Sequence, residues 1–312
     1  MLIKEADDKT NDLATLKSLL AHPAANSETK KRIEQEIRNI SSGAKGEADA
    51  AYEIDFHYGP SKNWATIHDL RLEHRGRVAQ IDHLLVNRFL DVWVFESKRF
   101  SEGIGINEQG ECAMFWNGKP TGIGSPHEQN AKHIAVIKAA CDDGAVELPK
   151  RLGFAIKPSF NGLVVVSKNA RVSRPKAKGW WDDGIVKADQ VKAKIDKAFD
   201  CDNNPLVMAK LVASDTLEAF ARGLAALHVP AVFDWHAKFA LPREMVAPVA
   251  KPAAVAAEPE ARPEPKMSGR VCHSCGEPVE DKVVTFCIRF NKARFGGNVY
   301  CQECQKAIPK PA

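Results

Sequence analysis

A segment rich in alanine, proline and glutamate divides this chain into two parts of very different size. Between Val246 and Lys266 the sequence is almost entirely Ala, Pro, Val, Glu and Lys, and it holds five of the 18 prolines. Such a composition cannot bury a core and favours extended, polyproline-like conformations. The pattern predicts a semi-rigid linker over 246–268, between a large N-terminal part and a small domain at 269–312.

The composition of the 312 residues is that of a globular protein. With 44% hydrophobic and 27% charged residues, collagen-like and wholly disordered chains are excluded. No run of about 18 apolar residues is present, and the first residues are too polar and acidic for a signal peptide, so we expect a cytoplasmic protein with no membrane partner. The formal net charge of +4 permits a polyanionic partner without requiring one.

Hydrophobic periodicity predicts three regions before the linker. Residues 1–40 have leucine and isoleucine at helical spacing, interrupted at His22-Pro23, which predicts an extension of two short amphipathic helices. Residues 41–170 combine helical and β patterns, and we expect a mixed α/β (α+β) domain there. Residues 171–245 are basic at first and then amphipathic, which predicts a helical auxiliary region.

The mixed domain has identifiable elements. We expect helices over 43–56 and 125–140, and strands over 65–73, 77–87, 91–98, 103–107, 112–116 and 163–167. The second helix has a clear start, because Ser125 suits the N-cap, Pro126 the first helical position and Glu128 the third.

The strands over 77–87 and 91–98 carry the residues that indicate chemistry. If this hairpin is symmetric about Phe89, Asp82 lies opposite Glu96 and Gln80 lies opposite Lys98. Opposed carboxylates repel each other unless a cation lies between them, so the pattern indicates a divalent metal site. Mg²⁺ prefers oxygen ligands, which Asp82, Glu96 and the carbonyl of Ser97 would supply.

Lys98 has two chemical roles open to it at such a site. It would orient or help to deprotonate a metal-bound water, or it would stabilise charge that develops on a phosphoryl group. The structural alternative for the whole set is a solvated strand face with a cross-strand salt bridge.

Four motifs around these residues resemble the nuclease-related domain (NERD) family of the PD-(D/E)xK nuclease superfamily, over about residues 41–167. They are Gly43-x-x-Gly46-Glu47, Gln80-Ile81-Asp82-His83, Glu96-Ser97-Lys98 and Ser125-Pro126-x-x-Gln129-Asn130-x-x-His133. The resemblance implies a restriction-endonuclease-like αβββαβ core and metal-dependent cleavage of phosphodiester bonds, most often in DNA. It also implies that Glu47 joins Asp82 and Glu96 near the metal, and that Gln80 and Lys98 line the same site.

Three further polar residues have structural alternatives. Gln129 and His133 lie one helical turn apart and would face either the site, including a phosphate there, or a polar helix surface beside Ile134 and Ile137. Strand alternation places His83 on the face opposite Asp82, which favours a structural hydrogen-bonding role.

The small C-terminal domain carries a metal-binding pattern. Two CxxC pairs, Cys272/Cys275 and Cys301/Cys304, are separated by 25 residues and predict a zinc ribbon in which Zn²⁺ supplies the folding energy. We expect strands over 283–287 and 298–300 between the pairs, and Cys287 as a small buried side chain. Cys112, Cys141 and Cys201 are isolated, so the clustering indicates a metal rather than disulfides.

The partner of the ribbon is left open by its sequence. Cations and aromatic residues alternate there, a combination that suits phosphate contact and base stacking, although docking to a protein is an alternative. These residues are Arg289, Phe290, Lys292, Arg294 and Phe295.

Two functions of different class follow from the sequence. The first is a Mg²⁺-dependent (or Mn²⁺-dependent) nuclease acting on DNA, with the ribbon tethered to it. The second is a non-catalytic nucleic-acid-binding or scaffold protein that retains the fold. Three acids beside a polyanion favour the nuclease, and the sequence contains neither GxxxxGK[ST] nor HExxH to support other enzyme classes.

Overall fold

The computed structural model describes residues 1–176, 184–200, 210–243 and 267–309. Contacts divide the chain into two compact units, Met1–Glu244 and Met245–Ala312. The predicted linker lies outside the described residues except for 267 and 268, and so does Cys201. Within the described ranges, no helix has the length and apolarity needed to cross a membrane.

The first unit is built from a long strand hairpin, helices on both sides of it and a second small sheet. Its described helices are α1 (Thr10–Leu20), α2 (Ser27–Tyr58), α3 (Pro126–Asp142), α4 (Val191–Asp200), α5 (Ser214–Ala225) and α6 (Trp235–Lys238). Its described strands are β1 (Leu2–Lys4), β2 (Trp64–His74), β3 (Arg77–Asn87), β4 (Asp91–Lys98), β5 (Gly103–Ile106), β6 (Cys112–Trp116), β7 (Lys119–Ile123), β8 (Lys150–Arg151), β9 (Phe154–Ala155), β10 (Ser159–Val166), β11 (Arg171–Ser173) and β12 (Ile185–Lys187).

The main sheet has six strands in the order β1-β2-β3-β4-β10-β12. Strands β2, β3 and β4 are antiparallel, whereas β10 lies parallel to β4 and β12 lies parallel to β10. Apart from the short strands β5–β9, the elements follow in the order α2-β2-β3-β4-α3-β10, which confirms the predicted αβββαβ core and the mixed α/β class. The predicted symmetry about Phe89 also appears, since β3 and β4 pair His83 with Phe95 and Val86 with Val92.

Helix α2 differs from the sequence prediction. One continuous helix of 32 residues replaces the two separate helices expected before and after Gly43. No proline lies at Ser41–Gly43, so that stretch weakens the helix without breaking it. Ile33 is buried in the first half and Ile54 in the second, and packing at both ends holds the helix through its weak middle.

The sequence predicts a helical region over 171–245, but the structure also contains two short strands there. Strand β11 pairs with β5, and β12 extends the main sheet beside β10. Both strands have only three residues, too short for a recognisable alternation of side chains. Strand β1 was missed for the same reason, and it pairs parallel with β2.

Helices cover both faces of the main sheet. Helices α3 and α5 pack on one face around a core that includes Val94, Ile137 and Leu217. Helices α2 and α4 pack on the other face around Ile54, Phe95 and other buried residues. Phe95 and Val94 are neighbours on β4 that point to opposite sides, so this strand is buried on both faces.

The second unit contains a hairpin followed by short helices. Strands β13 (Met267–Val271) and β14 (Pro278–Glu280) are antiparallel, and α7 (Asp281–Thr285), a π-helical turn (Phe286–Phe290), α8 (Lys292–Phe295) and α9 (Gln302–Lys306) follow. The strands predicted over 283–287 and 298–300 are therefore wrong. Val283, Val284 and Ile288 face one small core at helical spacing, and a short apolar run does not distinguish helix from strand.

We expect Leu217→Ala to lower the free energy of unfolding by about 2–5 kcal/mol, because α5 is part of the core and this side chain is fully buried. Denaturant unfolding of the full chain, followed by circular dichroism, measures it. The matched control is Leu152→Ala, where the side chain is 92% exposed and the change should stay below about 0.5 kcal/mol. Equal small effects at both positions would contradict the packing of α5 on the sheet.

Candidate metal centre and four-cysteine cluster

The β2–β3 pair is distorted where two aspartates face each other. The ladder pairs His68 with His83 and Leu70 with Ile81, which places Asp69 opposite Asp82 between them. Asp69 has φ +52°, in the left-handed region that residues other than glycine rarely adopt. A strained residue of this kind persists only where its surroundings hold it, often at functional sites.

The distortion shifts the side-chain alternation by one position. Ile67 and Leu70, three residues apart on β2, lie in the same core cluster, and so do Ile81 and Leu84 on β3. Asp82 and His83 therefore both lie on the side covered by α2, which corrects the expectation that they occupy opposite faces. A regular two-residue period cannot reveal this shift.

His83 belongs to a buried chain of hydrogen bonds. Its Nδ1 lies 2.9 Å from His68 Nδ1, and His68 Nε2 lies 3.1 Å from both carboxylate oxygens of Asp55 on α2. Burial lowers the pKa of His83 well below its ordinary value, and the neighbouring His68 adds to this effect. A neutral, fully enclosed imidazole suits the structural role expected for His83.

A cavity of about 320 Å³ lies between α2 and the distorted strands. Its walls include Lys9, Glu47, Asp69, Gln80 and Asp82. The structure thus brings the predicted Glu47, Gln80 and Asp82 together. Asp69 and Lys9 were not expected here, because the sequence marks neither with a motif.

Asp82 closes the open end of the β3–β4 pair. Regular pairing stops at His83 and Phe95, and Asp82 Oδ2 then accepts a hydrogen bond of 2.6 Å from the amide of Ser97. A side-chain oxygen replaces the backbone carbonyl that a continued ladder would provide. This bond links Asp82 to the segment that carries Glu96 and Lys98.

Glu96 lies on the side of β4 that faces α3. Its side chain is 3% exposed, and Oε1 is 2.7 Å from Lys98 Nζ. Oε2 is 3.4 Å from His133 Nδ1 and makes no hydrogen bond within the described part of the chain. Lys98 also donates to Gln129 Oε1 at 3.1 Å, so the helix residues Gln129 and His133 both contact the motif residues.

Gln80 and Lys98 do not contact each other in the described structure, although the hairpin symmetry places them opposite. Gln80 donates to Asp69 Oδ1 instead, while Lys98 binds Glu96 and Gln129. The reason is that β3 and β4 separate beyond His83, where β3 stays paired with β2.

Two of the five acids that line the cavity have a cation beside them. Lys9 Nζ lies 2.7 Å from Asp69 Oδ2, and Lys238 Nζ lies 2.8 Å from Glu36 Oε1. Glu47 and Asp82 form no ion pair with a lysine or arginine within the described residues. With Asp12, they are the acids lining this cavity that have no cation bound directly to them in the described structure.

Burial and neighbouring negative charges raise the pKa values of Glu47 and Asp82. Burial raises the pKa of Glu47, and the charges of Asp69 and Glu96 raise it further against the opposing effect of Lys9. Burial raises the pKa of Asp82 well above its ordinary value, and the charges of Glu96 and Glu47 add to this. Bringing a cation to the site would relieve this repulsion.

The carboxylates surround the site without converging on one point. In the described ranges, only Cys272, Cys275, Cys301 and Cys304 form a group of three or more His, Cys, Asp or Glu residues whose ligand atoms all lie within 4.8 Å of one another. The oxygens of Glu47, Asp82 and Glu96 are therefore more widely spaced. Their chemistry, carboxylate oxygens around an acidic cavity, nevertheless fits a hard divalent cation.

The four cysteines could hold a zinc ion. The first pair follows β13 in a tight turn, in which Gly276 has φ +75° and its amide donates to the carbonyl of Cys272 at 2.9 Å. The second pair begins α9, with Cys301 at the N-cap. Burial acts to raise the pKa of Cys272, but amides of Cys301, Cys275 and Ser274 point at its sulfur and lower the pKa to about 6, which favours the thiolate at this cysteine. Hydrogen bonds with Cys301 and Cys275 raise the pKa of Cys304 instead.

Other residues of this unit hold it together. Cys287 is fully buried outside the cysteine cluster, with Sγ 3.5 Å from the carbonyl of Tyr300. Phe295 is buried, and Arg294 donates to the carbonyls of Gln305 and Ile308. These two residues of the predicted binding set are thus engaged within the unit.

The remaining cations of that set face solvent. Arg289 and Lys292 are exposed, while the side chain of Phe290 lies outside the described part of the chain.

Comparison with known proteins gives one match. The family model of the nuclease-related domain matches residues 42–167, a segment that contains Glu47, Asp82, Glu96 and Lys98. No curated protein and no solved structure matches the chain. Residues 42–167 therefore match the nuclease-related domain, and the C-terminal unit has a four-cysteine cluster that fits a zinc ribbon.

Proposed function

We propose that this protein is a divalent-metal-dependent nuclease that hydrolyses phosphodiester bonds, first of all in DNA. One observation carries the proposal. Glu47 and Asp82 lie within the segment that the family model matches, half-buried near Glu96, without a directly bound cation in the described structure. A protein that only bound nucleic acid would gain nothing from half-buried acids without a cation partner next to a polyanion.

Glu47, Asp82, Glu96 and the carbonyl of Ser97 would hold a Mg²⁺ or Mn²⁺ ion. When bound, such an ion lowers the pKa of a coordinated water and stabilises charge on a phosphoryl oxygen. Oε2 of Glu96, which makes no hydrogen bond in the described structure, would be a ligand for this ion. Asp82 retains its second oxygen for the ion while Oδ2 holds the amide of Ser97.

Lys98 is positioned to act on the substrate. Its ammonium is fixed between Glu96 and Gln129, and its side chain is 29% exposed. In that position it contacts a phosphate oxygen or holds the attacking water, and its charge stabilises the negative charge that develops in the transition state. Gln80, fixed by its bond to Asp69, lines the same cavity.

The C-terminal unit would bind one Zn²⁺ through its four cysteines and act as a tethered binding domain. Arg289 and Lys292 are the exposed cations of the predicted set, and they would meet a nucleic-acid backbone or an acidic partner protein. Tethering would raise the effective concentration of the nuclease near whatever this unit binds.

We expect Asp82→Asn and Glu96→Gln each to reduce Mg²⁺-dependent cleavage by about a hundredfold or more, because each removes charge needed to hold the ion. Nicking of supercoiled DNA and shortening of linear and single-stranded DNA measure it. The control is Asp142→Asn, an exposed acid at the end of α3 that pairs with Lys138. Full activity in either site variant, with an unchanged circular dichroism spectrum, would refute the assignment.

Metal affinity should fall as the pH is lowered, starting at a higher pH than for ordinary carboxylates. The pKa values of Glu47 and Asp82 are raised, so protons compete with the ion earlier on acidification and binding releases them. Titration calorimetry of the full chain with Mg²⁺, in two buffers of different ionisation enthalpy, measures affinity and proton release. Binding with no proton release and no pH dependence would contradict this electrostatic account.

Zinc content should drop from one ion per chain to near zero in Cys304→Ser. The matched control is Cys287→Ala in the same unit, which leaves all four proposed ligands in place and should keep its zinc. Metal analysis of the purified chains measures this.

Chelation should expose residues after 266 to protease and leave 1–243 protected, because the ion holds only the small unit together. Protection that chelation does not change beyond 266 would contradict a structural zinc.

A further inference from the structure

An exposed aromatic ring lies at the mouth of the carboxylate cavity. Phe233 is 55% exposed and lines the same cavity as Glu47 and Asp82. It belongs to the loop between α5 and α6, which lies outside the segment matched by the family model. Neither the motifs nor the proposed metal chemistry accounts for an apolar ring at this position.

The ring rests on a rigid support. Phe233 stacks on Trp235 with ring centroids 5.0 Å apart and an interplanar angle of 26°. Trp235 is buried, donates from Nε1 to Asp12 Oδ1 at 2.7 Å, and has Lys238 Nζ 4.9 Å from its ring centroid. Phe233 therefore has an ordered backing and an accessible surface.

The loop is anchored on both sides of Phe233. Before it, the amide of Val229 donates to the carbonyl of Arg71 on β2 at 2.8 Å, two residues beyond Asp69. After it, Asp234 caps α6 by accepting from the amide of Ala237 at 3.1 Å. The ring is thus held in place relative to the acids of the cavity.

We propose that Phe233 is a stacking platform for an unpaired nucleobase, and that the substrate is single-stranded nucleic acid at this point. The inference rests on the proposed function and names its substrate class. A phosphate at the carboxylates would bring a neighbouring base to the mouth of the cavity. The faces of a base are covered by its neighbours in a duplex, so an aromatic platform favours a strand that is unpaired there.

The charges around the ring agree with a nucleic acid as occupant. Glu36 is paired with Lys238, and Asp69 is paired with Lys9, so two of the acids near the ring are already compensated. Lys9 is 31% exposed and lies in the cavity wall, where its ammonium can meet a phosphate. Stacking on one ring tolerates any base, so we expect little sequence preference.

Binding of fluorescein-labelled oligonucleotides to the full chain in Ca²⁺ tests the platform without requiring cleavage. Phe233→Ala should weaken binding of a single strand about tenfold, should leave binding of the matching duplex unchanged, and should be rescued by Phe233→Trp. The matched control is Val232→Ala, at a neighbouring side chain that is 94% exposed, which should change neither. Single-strand binding by Phe233→Ala that equals wild type, with both proteins folded by circular dichroism, would overturn the proposal.

A double-mutant cycle, in which Phe233 is changed in the protein and a base is removed from the strand, locates the contact. A set of single strands carries one abasic residue at successive positions, and one of these should bind wild type about tenfold more weakly. The same strand should bind Phe233→Ala no more weakly than the intact strand does, because the base and the ring form a single interaction. The alternative is that the abasic residue and Phe233→Ala reduce affinity independently, so that their effects multiply at every position of the strand. That result would show that the ring does not contact a base.

Cleavage assays separate this proposal from the function on which it rests. If no metal supports cleavage, the nuclease assignment fails and the binding cycle still decides the platform. If wild type and Phe233→Ala cut single strands with the same KM and kcat, the platform fails and the nuclease assignment stands. The expected result is a KM for single strands that rises about tenfold in Phe233→Ala with little change in kcat.

Discussion

Repulsion among buried and half-buried carboxylates governs the arrangement of this site. Glu47, Asp82 and Glu96 come from a helix and two strands that meet where the regular pairing of β3 with β4 ends. Burial and mutual repulsion raise the pKa of Asp82, whereas its bond to the Ser97 amide and the charge of Lys98 oppose this effect. Lysine supplies a direct partner for Glu96 and for Asp69 but not for Glu47 or Asp82 in the described structure. A divalent cation would complete this balance.

Segments outside the nuclease-related domain contribute to the same cavity. Lys9 arrives from the N-terminal extension, and Phe233 arrives from the loop before α6. Both are fixed by contacts with residues on other elements, Lys9 with Asp69 and Phe233 with Trp235. Residues 42–167 therefore supply Glu47, Asp69 and Asp82, and the flanking segments shape what can reach them.

The sequence predicts those parts of the fold and site that depend on local rules. The symmetry about Phe89 and the cap at Ser125 follow from turn geometry and capping, and both appear in the structure. Tertiary packing decides the rest. It holds α2 together across Gly43, gives Asp69 its left-handed backbone and turns His83 to the side of Asp82, none of which a two-residue or helical period can reveal.

The most direct test of a metal centre at Glu47, Asp82 and Glu96 is anomalous diffraction from crystals of the protein soaked in Mn²⁺. The account predicts a manganese peak within bonding distance of oxygens from Asp82 and Glu96, on the cavity side that Glu47 lines. A peak confined to other acids of the cavity, such as Asp12 and Glu36, or no peak in the cavity at saturating Mn²⁺, would contradict it.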